Sequence, residues 1–311
     1  MRQSGAVLFA GAASFVVAVG GSEVQAAIGS DAKYITPEVR QILALPEDKI
    51  DTGVAALTIA KEVYPKINVA AYSAQIDQLA MDAKRYIDWY GRHDPDSIIR
   101  ALNTWYYRAY GVQYDKSPGN RESQDNYYLN RIVDTRKGMC ITIPLLYMVI
   151  AQRLGYPVRA VFVPEHSFVR YVDPSLKEQN IELSAGAGYS SDEDYAYRLN
   201  INERGIASGA FLRTLTKRQY LASLLMQNAL VFIKRGDVDR ADWYLERAHK
   251  LDPKDIVVVK NLSTAYRMQS KRTQDPVVAA SLKAKSIEYF WKTEDMGWTR
   301  DPDANIRREK R

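Results

Sequence analysis

The stretch that most constrains the fold is the run over residues 144–151, in which nearly every side chain is apolar. The run continues through Leu154 and is followed by Gly155 and Pro157, two residue types that end helices. A surface helix carries apolar residues on one face only, so a helix that is apolar on all sides has to be buried. The sequence therefore predicts a helix at the centre of a domain.

Three strands are predicted after this helix, over residues 158–163, 166–172 and 179–183. The string Asp173-Pro174-Ser175 supplies turn residues between the last two, so these strands are expected to pair as an antiparallel hairpin. A helix followed by antiparallel strands indicates an α+β fold, with the central helix packed on an antiparallel sheet.

Residues 36–111 show helical periodicity throughout, with apolar side chains three and four positions apart. Gly91 and Gly111 lie where the second and third of these helices should end, and Asp94 offers a cap for the start of the third. We therefore expect one domain over residues 31–205, in which a helical N-terminal part precedes the α+β core.

A helical repeat pattern begins after residue 214. With Ala222 as position one, the chain matches the tetratricopeptide unit of about 34 residues. The matching apolar, small and proline positions are Leu225, Ala229, Phe232, Gly236, Ala241, Leu245, Ala248 and Pro253. A weaker second unit begins near Ile256, and residues 269–276 are expected to lengthen its turn before a last helix over 277–291.

One full unit and one partial unit bury too little apolar surface to be stable alone. The TPR-like module over residues 214–293 is therefore predicted to pack on the preceding domain. Residues 294–311 end in a cluster of Arg and Lys and are predicted to form a basic, solvated tail.

The first 26 residues have the features of an export signal peptide. Arg2 precedes an apolar stretch over residues 6–19, and a small-residue cleavage site ends at Ala26. The stretch is shorter than the roughly 20 residues that span a bilayer. The protein is therefore predicted to be periplasmic or secreted, with no membrane span after cleavage. Lys plus Arg exceed Asp plus Glu by 43 to 37, but the excess is spread along the chain and predicts no nucleic-acid partner.

Cys140 is the only cysteine of the chain, so it cannot form an internal disulfide. It stands where the polar string Arg136-Lys137-Gly138 gives way to the apolar helix. Free backbone N–H groups, the positive end of the helix dipole and the two neighbouring cations all stabilise a thiolate at such a position. Cys140 is therefore either a small core residue or, as its position favours, a nucleophile.

Three histidines are available to act as its base. His93 precedes a turn and His249 lies in the repeat, so both are assigned structural roles. His166 opens a predicted strand in the same domain as Cys140, where it could reach the start of the helix. His166 is therefore the predicted general base.

A third group has to orient the imidazole ring. If the hairpin turns about Pro174, Glu182 lies opposite His166, and Asn180 lies on the same face of the sheet. Glu182 is the nearer candidate and Asn180 the second. Asp173 belongs to the turn at the far end of the strand and is set aside.

Several short strings between residues 125 and 170 form one pattern. They are Asp125-Asn126-Tyr127-Tyr128-Leu129-Asn130, Arg136-Lys137-Gly138, Gly155-Tyr156-Pro157-Val158 and Pro164-Glu165-His166-Ser167-Phe168-Val169-Arg170. With them, residues 51–170 resemble the SirB-type branch of the bacterial transglutaminase-like superfamily. Many members of that branch carry a proline at the position of Cys140, whereas relatives with tetratricopeptide units more often keep the cysteine.

The resemblance implies a papain/transglutaminase-like core and a cysteine-dependent peptidase, amidase or acyl transferase that acts on amide bonds of proteins or peptides. Its triad would be Cys140, His166 and either Glu182 or Asn180, with Asn130 as a candidate oxyanion donor or a capping residue. In the alternative, the domain is a non-catalytic scaffold and the repeat binds a protein partner. No cofactor is predicted, and three scattered histidines with one cysteine predict no metal site. Hydrolysis and crosslinking both stay open.

Overall fold

A computed structural model describes residues 33–120 and 123–298. The export signal predicted over residues 1–26 and residues 299–311 of the predicted tail lie outside the described residues. Within the described ranges, no helix has both the length and the apolar composition needed to cross a bilayer.

Four α-helices open the described part of the chain: α1 (Pro37–Ala44), α2 (Thr52–Lys61), α3 (Val69–Tyr90) and α4 (Pro95–Thr104). Their ends follow the local signals of the sequence. The Asp94 carboxylate accepts a hydrogen bond from the Ser97 N–H (3.0 Å) at the start of α4. Gly91 ends α3 with a φ of 75°, in the left-handed region that favours glycine.

The long apolar run forms the central helix of the next group of elements. These are β1 (Gln113–Tyr114), α5 (Leu129–Thr135), β2 (Lys137–Gly138) and α6 (Thr142–Arg153). Every residue of α6 from Thr142 to Ala151 is buried, which confirms the prediction of a helix at the domain centre. Pro144 lies in its first turn, where a missing N–H removes no intrahelical hydrogen bond.

The main sheet is antiparallel, in the order β3 (Val158–Val163), β4 (His166–Tyr171), β5 (Asn180–Glu182) and β6 (Gly188–Tyr189). The first three strands match the predicted ones to within one residue at each end. A two-residue turn, Pro164-Glu165, joins β3 to β4. Because α6 packs on β3 and β4, the domain is a mixed structure with a central helix on a small antiparallel sheet.

The register between β4 and β5 differs from the predicted one. Asn180 pairs with Arg170, so the connection is centred on Ser175, one residue later than predicted. The predicted pairing of Glu182 with His166 is therefore wrong, because a centre one residue later moves each partner by two positions. The pairing moves by an even number of positions, so Glu182 stays on the predicted face of the sheet, diagonal to His166.

Two short helices, α7 (Asp192–Arg198) and α8 (Glu203–Ala207), follow β6. The side chain of Ser191 caps α7 by accepting from the Asp194 N–H (3.1 Å). Neither helix is long enough to show a helical period, so the sequence pattern does not predict them.

The C-terminal part consists of α9 (Lys217–Lys234), α10 (Val238–Leu251), α11 (Ile256–Arg272) and α12 (Pro276–Asp295). Helices α9 and α10 form one helical hairpin, and α11 and α12 form a second. The repeat positions Leu225, Ala229, Ala241 and Leu245 are fully buried between these helices.

The connection between α11 and α12 is shorter than predicted. Helix α11 continues to Arg272, which leaves residues 273–275 as the link. The expected lengthening over residues 269–276 is wrong, because Gln269, Lys271 and Arg272 are good helix formers and extend α11.

The helical hairpins pack on the first part of the chain through α9, which lies against α2. The buried amide of Asn228 donates a hydrogen bond to the Ile59 carbonyl (2.7 Å) and accepts one from the Tyr128 hydroxyl (3.0 Å). An ion pair joins Arg240 to Glu62 beside it. The two parts share one hydrophobic core, as the shortness of the module predicts.

Residues 294–298 belong to the fold and not to the predicted tail. Met296 is buried in a second apolar cluster with Phe211 and Tyr195. The Asn202 amide donates a hydrogen bond to the Gly297 carbonyl (2.8 Å). The predicted boundary at residue 294 is therefore too early, because apolar residues among the charged ones anchor the end of α12.

Candidate active site

Cys140 lies in the short loop between β2 and α6. Glycine is required just before this loop, since a Cβ on Gly138 would lie 2.6 Å from Cδ1 of Ile132 and 2.8 Å from Oγ1 of Thr142. The Thr142 hydroxyl in turn accepts a hydrogen bond from the Met139 N–H (3.0 Å). The close approach of β2 to α6 therefore fixes the segment that carries the thiol.

Two backbone donors of this loop, the N–H groups of Cys140 and Ile141, have no hydrogen-bond acceptor in residues 33–120 and 123–298. The carbonyl of Cys140 accepts from the Ser167 hydroxyl (2.6 Å), which ties the loop to the start of β4. The positive end of the α6 dipole lies at the same place. The loop thus presents unpaired donors to an anion that forms beside the thiol.

His166 comes directly after the tight turn that joins β3 to β4. Glu165 in that turn has a φ of 55°, and its carbonyl lies 3.8 Å from Sγ of Cys140. The Cys140 side chain is near enough to the His166 ring to raise its pKa, and Nε2 of the ring lies 2.7 Å from Oε2 of Glu182. Since Glu182 engages Nε2, Nδ1 is the ring nitrogen left for the thiol.

The environment favours a charged imidazole beside a charged carboxylate. Burial by itself lowers the pKa of His166, but hydrogen bonds to Cys140 and Glu182 outweigh burial and raise the pKa to about 9. Burial by itself raises the pKa of Glu182, but the hydrogen bond and the charge of His166, helped by Tyr195 and the Ser184 N–H, lower it to about 2. At neutral pH the pair is therefore an imidazolium and a carboxylate, with side chains only 20% and 13% exposed.

Asn180 lies away from this cluster, although it shares a strand with Glu182. Its amide oxygen accepts from Nε of Arg170 (2.7 Å), and its amide nitrogen donates to Asp192 (2.7 Å). Both ends of the amide are therefore engaged beside the start of α7, and neither contacts His166.

The two cations before Cys140 have different surroundings from those that the sequence suggests. The Arg136 guanidinium lies 5.1 Å from the centre of the Tyr110 ring and donates to the Tyr110 carbonyl (3.4 Å). Lys137 is exposed to solvent. The ionisable group whose pKa responds to the Cys140 side chain is the imidazole of His166.

The remaining candidates lie elsewhere. Asn130 is in the first turn of α5, and its Oδ1 is buried without a hydrogen-bond partner among the described residues. His93 is exposed after α3, and His249 lies 3.1 Å from Nζ of Lys292 on α12. In residues 33–120 and 123–298, no three His, Cys, Asp or Glu side chains are arranged to hold a metal ion.

Sequence reasoning missed two residues at the site. The Ser167 hydroxyl holds the Cys140 carbonyl, and the Tyr195 hydroxyl donates to Oε2 of Glu182 (2.7 Å). Ser167 could have been found from its position next to His166, on the opposite face of β4. Tyr195 gave no such signal, because it reaches the site from α7, a helix too short for pattern recognition.

The fold and the site define a class of protein: mixed helical chains in which a cysteine at the start of a buried helix faces a histidine on an antiparallel sheet. The chain belongs to the transglutaminase-like superfamily, whose model matches residues 70–226, half of its length. It is also similar to a UPF0162 protein from each of two strains of Xylella fastidiosa. Both are 23% identical over 254 residues, which cover 78% of this chain and 86% of the relative. No solved structure gives a significant match.

Proposed function

We propose that the protein is a cysteine-dependent enzyme that cleaves or exchanges amide bonds of protein or peptide substrates. Cys140 is the nucleophile, His166 the general base and acid, and Glu182 the group that orients the ring. The observations that carry this proposal are the 2.7 Å contact between His166 and Glu182 and the place of the Cys140 thiol, 3.8 Å from the carbonyl of the residue before His166 and close enough to raise the pKa of its ring. Membership of a superfamily that includes many cysteine enzymes supports it.

The chemistry follows from the geometry. The Cys140 thiolate attacks the amide carbon, a sulfur–carbon bond forms, and the developing oxyanion is held by the free N–H groups at the start of α6. The imidazolium of His166 gives its proton to the leaving nitrogen as the carbon–nitrogen bond breaks. Water or an amine then attacks the thioester, gives its proton to His166 and restores the thiolate.

Alkylation of the thiol tests this proposal directly. Since the chain has a single cysteine, iodoacetamide labelling of the folded protein reports on Cys140 alone. Labelling at neutral pH should be much faster than that of a model thiol, and His166→Ala should slow it about tenfold or more. His93→Ala is the matched control and should leave the rate unchanged.

A native thiol that stays inert until the protein is denatured would contradict the enzyme proposal. It would favour the alternative, in which the same domain is a non-catalytic scaffold for a protein partner.

Whether the domain is an enzyme or a scaffold, we propose that the chain is a SirB-type protein whose helical hairpins are TPR-like repeats. The surface that binds a protein partner is proposed to lie on these hairpins. The exposed side of α12 supports this proposal. Val277, Ile287 and Trp291 are 77%, 49% and 57% exposed along it, and several apolar side chains on one side of a helix favour a binding surface.

Export to the periplasm or beyond the cell is proposed from the predicted signal peptide. The mature chain should begin near Ala27, which N-terminal sequencing of protein from its native compartment would detect. Retention of residues 1–26 would instead favour a membrane anchor.

A further inference from the structure

The Glu182 carboxylate is held by more than its contact with His166. Oε2 lies 2.7 Å from Nε2 of His166 and also accepts a hydrogen bond of 2.7 Å from the Tyr195 hydroxyl. Oε1 accepts from the Ser184 N–H at 2.7 Å. One carboxylate oxygen is therefore shared between the ring and a buried phenol, and the other is bound to backbone.

Tyr195 is itself fixed in place. It is 1% exposed, and its ring stacks on Phe168 with the centroids 4.1 Å apart and the planes 2° from parallel. The Arg198 guanidinium lies 5.0 Å from the centre of the same ring. A capping box between Ser191 and Asp194 sets the start of the helix that carries Tyr195. The hydroxyl therefore reaches Glu182 from an anchored ring.

The hydroxyl of Tyr195 remains a donor at neutral pH. Burial and the neighbouring Glu182 carboxylate both raise the pKa of Tyr195 above its usual range, so the phenol keeps its proton. Glu182 has three rotatable side-chain bonds, and a single bond from His166 to Oε2 would leave its carboxylate free to turn. Two donors from different directions define one orientation.

We propose that Tyr195 is a positioning residue whose hydroxyl holds Oε2 of Glu182 against His166, and through it keeps the ring charged and directed at Cys140. This proposal rests on the proposed function for its catalytic consequence, but the positioning itself is a property of the His166–Glu182 contact. It makes α7, which follows the last strand of the sheet, a part of the active site.

Tyr195→Phe tests the proposal, because it removes the hydroxyl and keeps the ring that stacks on Phe168. The pKa of His166, measured by nuclear magnetic resonance titration of its ring, should fall by roughly half to one pKa unit as the carboxylate loosens. Loss of the partial positive charge of the hydroxyl hydrogen acts in the opposite direction. It is the smaller effect, since the hydroxyl is neutral and the carboxylate carries a full charge. Iodoacetamide should also label Cys140 several-fold more slowly at neutral pH.

Tyr128→Phe is the matched control, since it removes a buried hydroxyl that bonds to Asn228 and not to Glu182. It should leave the pKa of His166 and the labelling rate as in the parent. The Tyr195→Phe protein should melt within a few degrees of the parent, which separates positioning from loss of fold.

An unchanged or higher pKa of His166 in Tyr195→Phe overturns the proposal and leaves Tyr195 as a packing residue. The titration does not depend on a reactive thiol. An inert Cys140 in the parent would therefore refute the proposed function alone, while the pKa of His166 would still decide the role of Tyr195.

Discussion

At the scale of single residues, the site is a series of side chains in which each depends on the next. Burial acts against the charge of both His166 and Glu182, and their mutual contact, helped by Cys140 on one side and by Tyr195 and the Ser184 N–H on the other, keeps both ionised. Removing one member leaves the other buried and unpaired. The effect of a substitution should therefore appear first in the protonation of its neighbour.

Glu182→Gln should lower the pKa of His166 from about 9 toward its ordinary value of 6.5, because the ring loses the carboxylate charge. Labelling of Cys140 at neutral pH should slow about tenfold. Asn180→Ala should change neither quantity, since its amide is engaged by Arg170 and Asp192. The measurements are a ring titration and an alkylation rate.

Both variants have to melt within a few degrees of the parent before their rates are compared, because both residues lie in the sheet. Loss of Cys140 reactivity in Asn180→Ala, with reactivity retained in Glu182→Gln, would make Asn180 the third member of the site.

The sequence allowed the Cys140, His166 and Glu182 cluster to be predicted because each residue stands at the end of an element or on a face with strong periodicity. The ranking of Glu182 over Asn180 does not depend on the error in register, since Asn180 pairs with Arg170, four positions from His166, and Glu182 lies two positions nearer on the same face. The contacts of Tyr195 could not be predicted in this way. They depend on how a short helix packs over the sheet, which no local pattern encodes.

At the scale of elements, the site depends on the junction between β2 and α6. Ile132 and Thr142 lie so close to Gly138 that a side chain at this position would displace them. The junction of β2 with the start of α6 therefore sets the position of the Cys140 loop relative to the sheet. The distance from the Cys140 thiol to the His166 ring depends on that position.

Gly138→Ala should therefore lower the free energy of unfolding by about 1–3 kcal/mol, because its Cβ would overlap Ile132 and Thr142. It should also slow the labelling of Cys140 by moving the loop. Chemical denaturation and alkylation measure the two effects.

Gly188→Ala in β6 is the matched control, since a Cβ there meets nothing within 4 Å. Equal stability of the two variants would show that the junction can relax around a methyl group.

Element bounds followed from the sequence where caps and apolar runs are strong, as for α6 and β3. Connections were harder to predict. The β4–β5 link is centred one residue later than expected, and the α11–α12 link is shorter than expected. In both places, neighbouring positions have similar preferences for a turn or for one more residue of the flanking element, so a local pattern does not fix the exact boundary.

At the scale of the whole molecule, the helical hairpins and the first part of the chain are joined by a shared apolar core. The contact between α9 and α2 lies at its centre, and polar bonds such as that from Arg240 to Glu62 surround it. Much of the inner surface of α9 would be exposed to water without the first part of the chain.

A fragment over residues 214–311 should therefore unfold with little cooperativity when heated, whereas the full chain should show a clear transition. Circular dichroism at increasing temperature measures both. A sharp two-state transition of the fragment would show that the hairpins fold independently.

The buried amide of Asn228 has a consequence for motion. Its two hydrogen bonds, to the Ile59 carbonyl and from the Tyr128 hydroxyl, are satisfied at one position of α9 along α2. A shift of one helical turn, about 5.4 Å, would leave the Asn228 amide, the Ile59 carbonyl and the Tyr128 hydroxyl without hydrogen bonds in an apolar interface. Sliding of α9 along α2 is therefore opposed, and the register between the hairpins and the first part of the chain is fixed. If the hairpins bind a partner as proposed, this fixed register would hold that partner at a constant distance from Cys140.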